Sequence, residues 1–577
     1  MGRAMTLEAR IQAGDKLRTT AESGVNDPSA EAKANTEKRS ITHIRQVAFL
    51  LALLAIGVIL LGLILSILKI NQGTFIYTTD DAYIHLALSD QIRHGNYGIN
   101  AGLHSAPDSS ILFPFLLVPA SGTPLHPYLP LVLNCLALLV TVVIMQRFLV
   151  HLRLAEDTFG VVVEAIALLL VAIGLNLIGV AFTGLEHSLH IAATAACIYG
   201  LALFLDKRKM PVWLPAVIVL APLLRYEGLS LSMAAILVIA LRGHWRTATG
   251  AFALIAIFLG SFSLFLIRMN LAPLPSSILV KSSIAANGVS GGDAPLIKLL
   301  VLVALFALNA YKMSQDIIGL ILLLIGVAAA VRCLQERPAK PWRWSSQGLM
   351  ALALLCLIGG HALAGHFGWV NRYEDYAVLG TFLAGIYLMR ETIRTVLASR
   401  KNRRLFVSAS FVALCMFSTR YIISTLRVPL GANNIYEQQF QMHRFVNDYW
   451  KAPVAVNDLG LVSYHNPNFV LDLGGLASEQ ARILKSTNAN ADAYQALVGN
   501  NGVHLAIIYD EWFPGQIPSV WKKVASLDLS RQRITSAEDE VQFYATDAET
   551  ARTLLPELET FRKSLPPGVN LTIYRQN

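Results

Sequence analysis

The stretch from residue 47 to residue 85 decides how this chain is interpreted. Residues 47–70 read VAFLLALLAIGVILLGLILSILKI, and residues 79–85, which follow a short linker, read TDDAYIH. The first segment exceeds the ~20 apolar residues that a helix needs to cross a bilayer. Asp80 and Asp81 therefore come shortly after a membrane span, where water meets hydrocarbon. Paired carboxylates at such a position can take a proton, hold a cation, or do both.

The composition is that of a polytopic membrane protein. Of the 577 residues, 54% are hydrophobic and 15% are charged, whereas soluble domains carry about 25% charged residues. The net charge of +9 does not indicate a nucleic-acid partner, because the basic residues cluster in short loops between apolar runs. Such clusters mark the cytoplasmic side of a membrane. All five cysteines lie in or beside apolar runs, so we expect neither disulfides nor a metal–thiolate site.

Placing the basic loops in the cytoplasm gives a predicted topology. Residues 1–45 are mostly polar and mixed in charge, which predicts a disordered cytoplasmic tail. Residues 46–428 are predicted to form the transmembrane domain. The segment 296–308 is a short apolar stretch that we expect to lie along the outer interface. About eleven spans are expected, near residues 47–70, 128–150, 158–181, 188–205, 212–225, 228–242, 248–269, 316–334, 345–365, 376–391 and 405–425.

The last segment, residues 429–577, is predicted to be a soluble extracytoplasmic α/β domain. Apolar runs at 453–460, 469–475 and 504–510 each end in Asp or Gly, which predicts three strands. Helical patterns near 477–486 and 490–499 lie between them. The predicted fold class is therefore an α-helical polytopic membrane protein with a C-terminal α/β domain on the side that Asp80 faces.

Charged residues recur in the segments predicted to face outward, where they are acids and isolated cations at one membrane depth. An anionic, lipid-linked donor fits this pattern, because Arg and Lys bind phosphate and a carboxylate can serve as base for a hydroxyl nucleophile. For each charge the alternative is a structural ion pair at a helix end. The residues are Asp80, Asp81, Glu186, Arg225, Glu227, Lys281 and Arg372.

Two further observations bear on this site. Asp80 and Asp81 repel each other, so a purely structural role for the pair would require nearby cations. His85, His104 and His126 do not have the i,i+3 or i,i+4 spacing of metal ligands on one helix, so we expect them to be packing or surface residues. Whether the aspartate pair needs a divalent cation is left open by the sequence.

The order of these motifs resembles that of the GT-C superfamily of integral-membrane glycosyltransferases, which use polyprenyl-phosphate-linked sugars. Within it, the pattern is most similar to the branch that contains the mycobacterial terminal β-(1→2)-arabinofuranosyltransferase. The resemblance covers roughly residues 45–480. It is carried by the motifs DDAYI at 80–84, GNYG at 95–98, TGLE at 183–186, RYEG at 225–228, LPS at 274–276 with Lys281, RY at 372–373, DLG at 458–460 and DLGGL at 472–476.

The resemblance implies an inverting glycosyltransferase in the bacterial cytoplasmic membrane, with its active site and C-terminal domain facing the periplasm or cell exterior. The sugar would be one such as arabinofuranose, and the acceptor a glycan, a lipid or a protein of the cell envelope. Asp80, Asp81 and Glu186 would be catalytic, with Asp80 preferred as the base. The donor phosphate would be bound by Arg225, Lys281 and Arg372, and the substrates by Tyr83, Glu227 and Tyr373.

Two other classes of protein remain as alternatives. A transporter or flippase of lipid-linked glycans would need ionisable residues deep in its spans and inverted repeats. Asn134 and Glu164 are the main polar residues in the middle of the predicted spans. A non-enzymatic assembly or receptor protein would use the outer domain for binding and leave the aspartate pair without a chemical role.

Overall fold

The computed structural model of the chain describes residues 28–281, 295–336 and 344–574. Within these residues, seven helices are long and apolar enough to cross a membrane, which makes the chain a multi-pass helical membrane protein. They are Asn35–Ile70, His126–Leu152, His187–Lys207, Trp245–Arg268, Ile317–Gln335, Ser346–Ala364 and the helical run that begins at Arg400.

Helices also occupy the remaining predicted spans. Three are apolar but shorter, and a fourth is long but carries more charge near its end; they are Thr158–Gly174, Leu214–Leu224, Gly228–Leu241 and Asp375–Ala398. The exact number of membrane crossings stays a prediction. On the first helix, a stripe of side chains at helical spacing is exposed, as expected of a lipid-facing surface: Leu50, Leu54, Val58, Leu61 and Leu65.

Two expectations about these segments need correction. The first helix runs from Pro28 to Ile70, so the part of the predicted tail that the structure describes is helical. Its Ala, Glu and Lys residues are good helix formers. The segment expected to end near residue 308 continues as the helix Pro295–Ser314, which packs against Ile317–Gln335 and Ser346–Ala364. The remainder of the predicted tail, residues 1–27, lies outside the described residues.

The loop after the first helix folds back over the membrane domain. It contains the helix Asp81–Arg93 and the short helix Phe113–Leu117. Every residue from Ala82 to Ser89 is buried, so the first half of the longer helix is enclosed on all sides. The helix contacts the C-terminal domain through the short helix Gly460–Ser463.

The C-terminal domain is built on one six-stranded sheet with the order β2-β1-β3-β5-β4-β6. The three predicted strands are present as β1 (Val454–Val456), β2 (Val470–Asp472) and β3 (Leu505–Ile508), and they are parallel. The other half of the sheet is antiparallel and was not predicted: β4 (Lys522–Asp528), β5 (Glu540–Ala545) and β6 (Asn570–Ile573).

Helices cover this sheet on both faces. Glu479–Ser486 and Ala491–Asn500 follow β2, as predicted, and Ala548–Lys563 follows β5. The carboxyl ends of parallel strands meet at one edge of a sheet, and here Asp458 and Asp472 lie at or just after those ends. This edge faces the loop that carries Asp80, and Leu476 of the domain borders the cavity described next.

Candidate active site

A cavity of about 740 Å³ lies between the loop after the first helix and the helices Gly228–Leu241 and Ser346–Ala364. Its lining includes the charged residues Asp81, His85, Asp108, Arg225, Glu227 and Arg372. Its lining also includes a mostly apolar set of residues from the two helices, here called the apolar groove: Leu229, Met233, Leu237, Leu355, Gly359 and Leu363. One cavity thus combines charged and apolar surfaces.

Arg372 and Asp81 form an ion pair in the cavity lining. Arg372 Nη2 donates to Asp81 Oδ2 at 2.7 Å. The guanidinium is 2% exposed, whereas the Asp81 side chain is 32% exposed. Burial lowers the pKa of an arginine, but Tyr373 and Asp81 outweigh that effect, and the pKa of Arg372 lies above its ordinary value. A charged guanidinium is therefore held beside an accessible carboxylate.

Two of the Arg372 donors are not used within the part of the chain that the structure describes. Its Nε and Nη1 atoms are buried and have no hydrogen-bond partner there. Buried donors without partners cost free energy, so they usually mark a place where a ligand, ion or water binds. A guanidinium presents its donors in a planar fork that matches the oxygens of a phosphate.

Tyr373 contacts two arginines. Its ring centroid is 5.0 Å from the Arg372 guanidinium carbon and 6.0 Å from that of Arg225. Its hydroxyl also accepts a hydrogen bond from Arg372 Nη2 at 3.1 Å. One aromatic ring is therefore within cation–π distance of both cations.

Arg225 bridges two carboxylates. Its Nη1 donates to Glu186 Oε1 and its Nη2 donates to Glu227 Oε1, both at 2.6 Å. Burial favours the neutral acid, but Arg225 lowers the pKa of Glu227 to about 2. The hairpin that carries both residues is tight, because a Cβ at Gly228 would meet the backbone carbonyl of Ala221 at 2.7 Å. Glu186 itself is fully buried and lies behind Arg225.

His85 and Asp108 belong to this cluster and were not predicted to. His85 Nδ1 lies 2.9 Å from Asp108 Oδ1, and its Nε2 lies 3.4 Å from Glu186 Oε2. Burial opposes the charged imidazolium, but the two carboxylates outweigh it and raise the pKa of His85. Periodicity could not identify this group, because its three members come from separate segments of the sequence.

Asp80 points away from the cavity, toward the C-terminal domain. Its Oδ2 accepts a hydrogen bond from the backbone N–H of Gly460 at 2.6 Å, and its Oδ1 accepts one from Leu461 at 2.8 Å. The side chain is buried, and burial together with Asp458 raises its pKa well above the ordinary value. The two adjacent carboxylates thus bind different partners and do not converge on one point.

Asp458 and Gln439 complete the surroundings of Asp80. Asp458 Oδ2 accepts a hydrogen bond from Gln439 Nε2 at 2.7 Å. Burial and Asp81 raise the pKa of Asp458 to about 6. A divalent cation requires several oxygen ligands around one point. The oxygens described at the aspartate pair accept hydrogen bonds instead, so this arrangement favours hydrogen bonding over a shared cation.

The structure locates the other predicted residues as follows. Tyr83 is buried, its hydroxyl accepts a hydrogen bond from the Tyr77 backbone N–H at 3.3 Å, and its ring packs against Tyr77 and Tyr464. This position favours a packing role. Lys281 ends the short helix Ser276–Lys281, and its side chain lies outside the described residues. Ser277 and Ile278 of that helix do line the cavity.

Fold and site together define a multi-pass membrane protein that has a cavity with charged and apolar surfaces and a docked α/β domain. A sequence-family profile described as a domain of unknown function, DUF8728, matches residues 433–544, which lie in the C-terminal domain. No match was found among the curated proteins.

Three solved structures are similar to the chain at low sequence identity. ArnT from Cupriavidus metallidurans, in the apo state, has a TM-score of 0.41 and 12% identity over 85% of this chain and 98% of its own. The apo oligosaccharyltransferase from Archaeoglobus fulgidus has the same score and identity, over 85% and 74%. The arabinofuranosyltransferase AftD from Mycobacteria has a TM-score of 0.37 and 13% identity, over 85% and 41%. Scores this low do not by themselves establish a common fold or activity.

Proposed function

We propose that this protein is an inverting glycosyltransferase that moves a sugar from a polyprenyl-phosphate donor to a hydroxyl acceptor. The observation that carries the proposal is the Arg372 guanidinium, buried beside the accessible Asp81 carboxylate and retaining two donors that have no partner among the described residues. Both residues line a cavity that is also lined by apolar side chains of two helices. A phosphate attached to a lipid chain matches this combination of charged and apolar surfaces.

In the proposed reaction, the acceptor hydroxyl gives its proton to Asp81. Its oxygen attacks the anomeric carbon, and the bond between that carbon and the phosphate oxygen breaks. The electron pair of that bond leaves with the phosphate, which changes from a diester to a monoester. Inversion follows from a single displacement, because the base and the leaving group lie on opposite faces of the sugar. Asp81 takes the role of base because, unlike Asp80, it lines the cavity.

The leaving phosphate gains negative charge, so fixed cations must be present where that charge develops. Arg372 supplies its unpartnered Nε and Nη1 donors, and Arg225 is close to the same Tyr373 ring. Lys281 is proposed as a third cation, because its helix borders the cavity. Glu186 and Glu227 keep Arg225 charged and in place, and Glu227 and Tyr373 are the proposed contacts to the sugar.

The apolar groove of the cavity is proposed to hold the first isoprene units of the donor. It is lined by the helices Gly228–Leu241 and Ser346–Ala364, and the Leu237 side chain in this groove is exposed. A polyprenyl chain cannot leave the bilayer, so its phosphate must be reached from the side, through a groove of this kind.

The sugar and acceptor are proposed from the sequence resemblance. We propose a pentofuranose such as arabinofuranose, and a cell-envelope glycan, lipid or protein as acceptor, on the outer face of the cytoplasmic membrane. The competing proposal is a flippase for lipid-linked glycans, which would move the donor across the bilayer without cleaving it.

One experiment separates the two proposals. The full-length protein in liposomes receives a polyprenyl-phosphate arabinofuranose that carries one label in the sugar and another in the lipid. A glycosyltransferase releases free polyprenyl phosphate and transfers the sugar label to an added envelope glycan, lipid or peptide. A flippase moves both labels together to the other leaflet. Transport of intact donor with no release of polyprenyl phosphate would overturn the proposal. Release of polyprenyl phosphate only from a donor that carries another sugar would change the proposed sugar and leave the proposed reaction in place.

A further inference from the structure

Three potential metal ligands from distant parts of the sequence meet at the outer loop. They are Asp90 on the helix Asp81–Arg93, His126 on the turn His126–Tyr128, and His465 just after the helix Gly460–Ser463. One ligand atom of each lies within 4.8 Å of one from each of the others. None of the three lines the cavity of the proposed active site.

We propose that these residues form a zinc site that joins the C-terminal domain to the outer loop. Two imidazoles and one carboxylate bind Zn²⁺ in known sites that keep a water in the fourth position. Zinc–ligand bonds of about 2.0–2.2 Å bring tetrahedral ligand atoms to about 3.4 Å from one another. His465 is exposed, and its ring stacks on that of Tyr464 with the centroids 3.9 Å apart, so this ring must turn to close that distance.

Hydrogen bonds hold two of the ligands in orientation. Ser89 Oγ donates to the Leu86 carbonyl and therefore accepts from His126 Nε2, which lies 2.8 Å away. The His126 lone pair is then on Nδ1, which accepts a hydrogen bond from the Tyr464 hydroxyl at 3.1 Å, so zinc binding replaces this hydrogen bond. Ser121 Oγ donates to Asp90 Oδ1 at 2.6 Å. Metal-binding histidines usually have their second ring nitrogen fixed by a partner of this kind.

A metal at this site would hold the C-terminal domain against the outer loop at a second point. Asp80 binds the backbone of Gly460 and Leu461 at one end of the helix Asp81–Arg93. Asp90 lies about 13 Å further along that helix, at 1.5 Å per residue. A metal that joins Asp90 to His465 would hold the segment 460–465 at a second point. His465 has a left-handed backbone conformation, with φ at 54°, and such strain persists only where the surroundings fix it.

The test measures zinc bound to the purified full-length protein in detergent, after chelation and titration with Zn²⁺, by elemental analysis and by thermal melting. We expect about one Zn²⁺ per chain and a zinc-dependent rise in melting temperature for the wild type and for the control His104→Ala, which removes another exposed histidine of the same loop. His465→Ala and Asp90→Asn should abolish both effects, with a loss of affinity at least as large as the 10–100-fold caused by removing a group that merely orients a ligand.

Asp81→Asn distinguishes this site from metal binding in the cavity, because it should leave zinc binding unchanged. Co²⁺ in place of zinc should give the visible absorption of a tetrahedral site in the wild type and not in His465→Ala. A wild type that binds no zinc at micromolar free Zn²⁺, or a His465→Ala variant that binds as much as the wild type, would overturn the proposal.

Discussion

The Asp80 carboxylate and the backbone of Gly460 are joined across 380 residues of sequence by a hydrogen bond of 2.6 Å. The approach is so close that a Cβ at Gly460 would meet the Asp80 carbonyl oxygen at 2.1 Å. Only glycine therefore permits this contact. Asp81, the next residue, forms the ion pair with Arg372. The contact of the C-terminal domain with Asp80 is therefore one residue away from the proposed base.

Asp80→Asn is expected to loosen this contact. An amide oxygen can replace one carboxylate oxygen as acceptor, but the amide nitrogen cannot accept the second backbone N–H. Hydrogen exchange measured by mass spectrometry should be faster in the segment 458–465 of this variant than in the wild type, and sugar transfer should fall with it. Unchanged exchange would show that the contact does not hold the domain.

Asp81→Asn should lower the rate of sugar transfer without loosening the contact between the C-terminal domain and Asp80. Loss of a general base typically costs about 10²–10⁴-fold in rate, and we expect that loss in kcat for sugar transfer. Exchange in the segment 458–465 should match the wild type, because the hydrogen bonds to the Gly460 and Leu461 backbone are accepted by Asp80, which this variant keeps. A variant that retains near-normal kcat would remove Asp81 from the role of base.

The sequence predicts much of the fold but only part of this site. Long apolar runs give the membrane helices, and runs that end in Asp or Gly give β1 to β3. The strands β4 and β5 carry charged residues such as Lys522, Lys523 and Glu540 at their ends, which hides them from that signal. The partner of Asp80 could not be predicted, because a backbone N–H has no sequence signature. For this reason Asp80 was favoured as base, whereas the structure places Asp81 in the cavity.

The buried pair Asp80 and Asp458 should make stability depend on pH. Burial and Asp81 raise the pKa of Asp458 to about 6, against an ordinary value of 3.8. The folded state therefore binds this proton more tightly than the unfolded state, so the contribution of Asp458 to stability is fully present below pH 3.8 and is lost as pH rises to about 6. The pKa of Asp80 is also raised, so its carboxyl likewise contributes stability that is lost as pH rises.

Thermal melting of the full-length protein over that pH range tests the prediction. The wild-type melting temperature should fall with rising pH relative to that of Asp458→Asn, whose amide oxygen can still accept from Gln439 and which has no buried charge at this position. At neutral pH the variant should be the more stable protein. Parallel pH profiles for the two proteins would contradict the assignment.

Gly359→Leu should block the apolar groove. A Cβ at Gly359 meets nothing within 4 Å, so a larger side chain fits without disturbing the helix and occupies the groove instead. Displacing about two buried methylene contacts of the donor costs roughly tenfold in affinity. The KM for the polyprenyl donor should rise by at least that factor.

The matched control for the groove is Gly385→Leu, which adds the same side chain at another helical glycine with nothing within 4 Å of its Cβ, outside the cavity lining. It should leave the donor KM unchanged. Gly359→Leu should raise the KM less for a donor with a single isoprene unit than for a long-chain donor. Equal effects of the two leucine substitutions would place the lipid chain elsewhere.

Arg372→Lys should keep the positive charge and lose the planar fork that both orients Asp81 and presents Nε and Nη1 to the phosphate. Removing one preorganised donor from a developing negative charge typically costs about 10²–10³-fold in kcat, and we expect a loss of that size in single-turnover sugar transfer. Arg403→Lys is the matched control, because Arg403 also pairs with an aspartate, Asp157, away from the cavity. If the two lysine variants transferred sugar at the same rate, Arg372 would be a structural partner of Asp81, and the phosphate would have to be bound by Arg225 and Lys281.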